Sequence, residues 1–420
     1  MSDARAVSRV EVAVIGGGLA GAMAAAHLAR AGIPVVVFEQ ATVPQPRVCG
    51  EFLSYEGAAL LRDIGVELPD GPPITTVGIH GPTRGIDVRL PDGCRGISRL
   101  VLDEAVRRRA EALGAVIMRG VTVQRCEWRG GADAGVAADC GDVATGARLQ
   151  TTAGCWEADA VIVAAGKRDV RGVPSRQSTR DVVGVQVHVP VSGAVRARWT
   201  GRVDLWVGEG AYGGAALVDE GLLNVSCVLP PATVQQHGVD ASVLMPALLR
   251  AHPAARRVLS DLLWPDTRVT TVAPVPYGYV RAEAPWPGVF CVGDQLAVIP
   301  SLTGDGMTLA LATGRDAGRV LAQPLLRARR AGRDPHAGGA ASRLASSTYH
   351  ARAVSLVRRQ IRVATWVQAL FARPQQLNVL LRGGRLLSPV VRAVLQATRV
   401  PAALRVGDEN DRDIEDARSG

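Results

Sequence analysis

The chain has 420 residues, 47% of them hydrophobic, with 48 Lys and Arg against 39 Asp and Glu for a formal charge of +9 and a mean hydropathy of +0.14. Such a length accommodates two or three domains and a large core without staples, and no stretch reaches the ~18 uninterrupted apolar residues of a membrane span. The charge is carried by dispersed arginines, Lys167 being the only lysine. With no aromatic-rich basic strand beside them, they argue against nucleic acid and for long-range attraction of anionic cofactors.

The apolar run 10–15 predicts a buried strand. It is followed by Gly16-Gly17-Gly18-Leu19-Ala20-Gly21, an alanine-rich helix, and a second apolar run, 34–38, that ends at Glu39. This is a dinucleotide fingerprint. Gly16 permits the tight turn, Gly18 lets backbone approach a pyrophosphate, and Gly21 lets helix and strand pack closely. The helix N-terminus supplies unpaired N–H groups for the phosphates, and Glu39 stands at the spacing of a ribose-binding acid.

Residues 49–64 read as a loop entering a short helix, and 69–96 as short β pieces around 77–80 and 86–90. A helix begins at Ser98 or Arg99 and stops at Gly114; 115–118 is a buried strand, and a meander leads to a strand at 159–166. From 181 the pattern changes to long alternating strands, 183–189, 202–207 and 222–229, which predict an antiparallel sheet with one open face. A helical stretch at 241–263, a β segment at 269–279, a strand at 288–294 and a helix at 308–325 follow. An arginine- and glycine-rich connector (327–339) leads to two or three helices within 342–404 and an acidic tail, 407–420, expected to be disordered.

Seven scattered cysteines without a CxxC pair read as reduced thiols and give no metal site. With no secretory pattern at the start, a cytoplasmic protein is expected, touching a membrane at most peripherally through the arginines and apolar helices of its C-terminal part.

A second glycine-acid site narrows the reading. Gly293-Asp294 at a strand end is followed by Pro300-Ser301-Leu302-Thr303-Gly304-Asp305-Gly306-Met307 and a small-residue helix. Together with the N-terminal fingerprint this resembles the FAD-dependent oxidoreductases of the para-hydroxybenzoate hydroxylase fold, and within them the geranylgeranyl-reductase-like branch. The resemblance implies a Rossmann-like α/β FAD-binding domain (1–75, 96–180 and 266–325), an antiparallel β-sheet substrate domain (76–95 and 181–265) and C-terminal helices (326–406). It further implies that Asp294 holds the ribityl chain, that Pro300, Gly304, Gly306 and Met307 back the flavin ring, that Arg99 reaches the phosphate or ribityl region, and that Arg47 to Glu51 pass beside the flavin.

The hydroxylases' Asp-Gly pair is missing from Ala164-Ala165-Gly166-Lys167-Arg168, and there is no second GxGxxG. NAD(P)H is therefore expected as a transient reductant, or electrons come from a separate reductase. Cys49 and Glu51 are the candidate catalytic groups, with a small buried hydrophobe and a capping carboxylate as their structural alternatives. His188, Trp206, Tyr212 and Tyr277 are candidates to line the substrate site. Halogenation is disfavoured, since neither the halogenase lysine nor Trp-x-Trp-x-Ile-Pro has a match. The expected reaction is hydroxylation or epoxidation of a hydrophobic small molecule (polyketide-, aromatic- or isoprenoid-like) through a flavin C4a-hydroperoxide. Reduction of a double bond by hydride from N5 stands close behind, and a flavin-bound electron carrier is the alternative outside catalysis.

Overall fold

Two seven-stranded sheets organise the computed structural model, which describes residues 7–129, 146–176, 182–219, 221–332, 339–371 and 373–382 together with four single positions beyond them, Arg399 among these. The first sheet grows from the glycine turn. Ser8–Ile15 lies parallel between Val35–Glu39 and Gly154–Val163, with Val116–Arg119 outside Val35–Glu39 and Val289–Cys291 against the end of Gly154–Val163. Its central strands are apolar runs rather than alternating ones, because helices cover both faces. Helix Leu19–Arg30 is alanine-rich for a steric reason: helix Gly306–Arg330 crosses it so closely that a Cβ at Gly314 would lie 2.2 Å from the carbonyl oxygen of Ala20.

The second sheet runs in the order Thr270–Val272, Val183–Pro190, Leu222–Leu229, Ala211–Val218, Gly201–Gly208, Ile74–His80, Gly85–Arg89. All its pairings are antiparallel except that of Gly201–Gly208 with Ile74–His80. Strand alternation divides it into two faces. Val183, Val185, Val187, Val189 and Trp206 pack in a core with helices Ala241–Ala251 and Pro253–Leu259. The opposite face looks toward the first sheet's glycine turns.

Proline explains most departures from the expected elements. The stretch 241–263 is two helices because Pro253 drives His252 into an extended conformation. Only Thr270–Val272 of the 269–279 segment is strand, since Pro274 and Pro276 bring no N–H to a ladder. The meander and the strand expected at 159–166 merge into one long strand, Gly154–Val163, which pairs antiparallel with Gly146–Thr151 before joining the parallel set. Helix Gly306–Arg330 continues through Pro324 into the expected connector. The helix Gly339–Phe371 packs on the body, Ser346 Oγ accepting from Gly288 N (2.7 Å) and Tyr349 Oη donating to the Cys291 carbonyl (3.0 Å), and Pro374–Leu380 follows it. The expected tail, 407–420, lies outside the described residues. Among those residues no helix is long and apolar enough to cross a membrane.

Candidate active site

The nucleotide turn is built from close backbone contacts. Gly16 has φ +102°, and a Cβ there would stand 2.6 Å from the Ala164 carbonyl; one at Gly21 would stand 1.9 Å from the Gly16 carbonyl. Glu39 is buried and oriented by two amides, Gly17 N (2.8 Å) and Ala41 N (2.9 Å), with Arg47 Nη2 3.4 Å away. Arg47 thus sits at the acidic end of the turn, while the four residues after it continue along the cavity. Arg107, which no sequence motif singles out, is buried and donates to the Gly17 carbonyl (3.1 Å).

From this turn a cavity, open to solvent along part of its length, runs to the second glycine site. Gly18, Arg99, Asp294, Gly304, Gly306 and Met307 all line it. Pro300 does not, and instead sets up the turn, its carbonyl accepting from Thr303 Oγ1 (3.1 Å). FAD fits this geometry on a direct observation. The helices Leu19–Arg30 and Gly306–Arg330 both open on the cavity, and neither has a side-chain cap on its first amides. Helices Tyr55–Asp63 and Arg99–Ala112 are capped by Ser54 and Ser98, and other uncapped helices such as Gly193–Trp199 and Ala241–Ala251 do not open on the cavity. Uncapped amide ends facing one cavity are what a pyrophosphate and an electron-rich ring require. Arg99 is held by both oxygens of Asp103 (2.7 and 2.9 Å). Burial opposes its charge, but the Asp103 carboxylate outweighs that and keeps the guanidinium protonated.

The antiparallel sheet clamps the segment carrying the candidate catalytic groups. A Cβ at Gly184 would press on Val48 at 3.0 Å; Asn224 Nδ2 donates to the Cys49 carbonyl (2.9 Å) and itself accepts from Gln186 Nε2 (2.9 Å). Gly50 lies over Ser226. Glu51 is fully buried in a left-handed backbone conformation, φ 54°, that costs a non-glycine residue energy and is met at functional sites. Its carboxylate accepts from Arg99 N (2.9 Å) and shares a hydrogen bond with His188 Nε2 (2.7 Å). Desolvation works against a charged His188, yet the Glu51 hydrogen bond and the charges of Glu51 and Asp219 prevail and raise its pKa. Cys49 lines the cavity with its thiol pKa pushed up by burial, against the pull of Arg99.

Tyr212 and Tyr277 converge on the cavity as well, each phenol 2.9 Å from Ser301 Oγ. Burial raises the Tyr212 pKa well above the usual phenol value, so its proton stays on. Two expected lining residues are elsewhere. Trp206 is fully buried on the sheet's far side, stacked near His252 with ring centroids 5.8 Å apart, because its neighbours Leu205 and Val207 take the cavity-facing parity. His188 has the correct parity but lies behind Glu51, holding the carboxylate rather than lining the cavity. Lys167, Ser301 and Arg399 line the cavity without having been candidates. Lys167 carried a signal in being the only lysine; Arg399, which pairs with Asp305 at 3.1 Å, comes from so distant a segment that nothing local marks it.

A family model described as an FAD binding domain matches residues 9–151. A menaquinone reductase of Mycolicibacterium smegmatis is 29% identical over 331 residues, 75% of this chain and 76% of that protein. Among solved structures, the flavin-dependent brominase Bmp2 superposes with a TM-score of 0.66 at 15% identity, covering 98% of both chains. A geranylgeranyl bacteriochlorophyll reductase-like protein of Thermoplasma acidophilum superposes with a TM-score of 0.62 at 16% identity, over 99% of this chain and 100% of that one. The structure has the fold of the FAD-dependent para-hydroxybenzoate hydroxylase-like oxidoreductases, and its N-terminal part matches an FAD binding domain. The cofactor is FAD, and the cavity that joins the two glycine turns is its candidate site.

Proposed function

We propose that the protein reduces a carbon–carbon double bond in a hydrophobic, isoprenoid-quinone-like small molecule. This places reduction ahead of the oxygenation favoured by sequence. One observation carries the reading: the antiparallel sheet holds Cys49-Gly50-Glu51 on the wall of the cavity that both glycine turns share. FAD, when bound, supplies a hydride donor after reduction by NAD(P)H or a partner reductase. The chain must then provide a proton for the second carbon. A half-buried thiol with a raised pKa keeps its proton at neutral pH, which suits Cys49 to giving it up only when charge develops beside it. Glu51 holds the segment in place through its bonds to Arg99 N and His188. The apolar side chains of Val77, Leu90, Val203, Leu205 and Val228 offer a dry surface for a lipophilic substrate, and the phenols of Tyr212 and Tyr277 offer donors for its carbonyl oxygens. The mycobacterial-type relative named a menaquinone reductase, similar across three quarters of the chain, supports the quinone class.

The test is an anaerobic turnover. FAD-loaded protein is reduced, mixed with a prenylated naphthoquinone in deuterated water, and the product analysed by mass spectrometry. The expected product has gained two carbon-bound hydrogens, both as deuterium where the flavin N5 hydrogen has exchanged with solvent, without oxygen. Cys49→Ala should slow this step about a hundredfold or more while leaving flavin reduction unaffected. A product that appears only with air and carries one added oxygen would establish oxygenation instead, and reoxidation without any product would establish an electron carrier.

A further inference from the structure

The chain uses arginine for every basic residue but one, and the exception stands in the cofactor cavity. Of 48 Lys and Arg residues only Lys167 is lysine. It follows Gly166 at the end of the first sheet's central strand, and its Nζ lies 3.0 Å from Asp294 Oδ2. The turn that presents it is fastened to the Asp294 turn by crossed bonds. Gln295 Nε2 donates to the carbonyls of Gly166 (2.8 Å) and Arg168 (2.6 Å), and Arg176 Nη1 donates to those of Gly166 (2.9 Å) and Asp294 (3.0 Å). Lys167 and Asp294 are therefore positioned as a unit, and both line the cavity with Cys49, Tyr277 and Met307.

The two other cavity cations differ from it. Arg99 has Nε and Nη2 committed to Asp103, and Arg399 is bonded to the buried carboxylate of Asp305. An ammonium has three protons on a compact charge, so one can serve Asp294 while the others face a ligand; a planar guanidinium delocalises its charge and demands a fork of acceptors. A chain that otherwise places arginine at its basic positions has at this point the residue with the more concentrated charge.

We infer that Lys167 is the flavin site's resident cation: it neutralises Asp294 and makes the cavity favour the reduced, anionic flavin over the oxidised, neutral one. Burial opposes the ammonium's charge, but Asp294 outweighs it and raises the pKa, so the charge persists through the neutral range. The inference rests on FAD binding and not on which reaction follows.

The measurement is the midpoint potential of bound FAD in wild type, Lys167→Met and Lys167→Arg, each checked for flavin content. Lys167→Met leaves Asp294 without its counter-charge, so reduced FAD should lose at least tenfold more affinity than oxidised FAD, a shift of about 30 mV to more negative potential for a two-electron couple. Lys167→Arg should fall between the two. An unchanged potential in Lys167→Met overturns the inference. If Lys167→Met retains no FAD, acylation of flavin-stripped wild type replaces it, since Lys167 carries the only ε-amine. The acylated chain, checked for folding by circular dichroism, should take up FAD with the same negative shift or not take it up at all. Normal uptake at an unchanged potential overturns the inference, whereas protection of Lys167 from acylation by prior FAD loading supports it.

Discussion

The two faces of the antiparallel sheet are made by the same strands and do opposite work. On one, Val183, Val185, Val187, Val189 and Trp206 form a dry core under two helices. On the other, Gly184, Gln186, His188, Asn224 and Ser226 grip residues 48–51, and Tyr212 reaches the cavity. The first face is held by apolar burial that any well-shaped hydrophobic set provides. The second is held by individual hydrogen bonds whose loss moves one segment. Successive residues therefore pass between tolerance and specificity with a period of two.

Two single substitutions and one double-mutant cycle probe that division, in falling order of expected effect. Trp206→Ala opens a large hole in the far-side core and should lower stability by about 3–5 kcal/mol in urea unfolding, while the folded variant keeps FAD and its visible spectrum. Loss of flavin from the folded variant would mean that the faces are not independent. His188→Gln removes the charged partner of buried Glu51 and should cost about 2 kcal/mol at acid pH. Because the folded His188 pKa is raised, the stabilisation is complete below about pH 6.5 and is lost as pH rises through the folded value. Unfolding curves of wild type and His188→Gln should therefore converge with rising pH, and a constant gap would refute the charged hydrogen bond. Least costly are the phenols. Tyr277→Phe should change stability by about 1 kcal/mol or less, and a double-mutant cycle with Ser301→Ala should show coupling, since Ser301 Oγ is 2.9 Å from both phenols. An additive cycle would place the shared hydroxyl outside any network.

The nucleotide end and the helix that starts at Ser98 are legible in the amino-acid sequence alone. Gly16, Gly18, Gly21 and Glu39 act through turn geometry within one βαβ unit, and the Ser98 cap and the Gly293-Asp294 loop are likewise local patterns. The substrate face was legible only in outline. Alternation announced the antiparallel sheet, but assigning its inward face requires knowing which side meets the glycine turns; hence Trp206 was placed on the wrong side and His188 one layer too far forward.

The amino-acid sequence by itself determined the cofactor class and the two glycine turns that meet at one cavity, because local conformation, such as the positive φ of Gly16 and Gly304 and the contact of Gly21 with Gly16, leaves few alternatives to glycine there. Only the tertiary structure decided that Glu51 is buried against His188, that Lys167 meets Asp294, and that Arg399 closes on Asp305. Each of these pairs joins residues 94 to 137 positions apart, and such partners are selected by how sheets and helices pack, which no local pattern encodes.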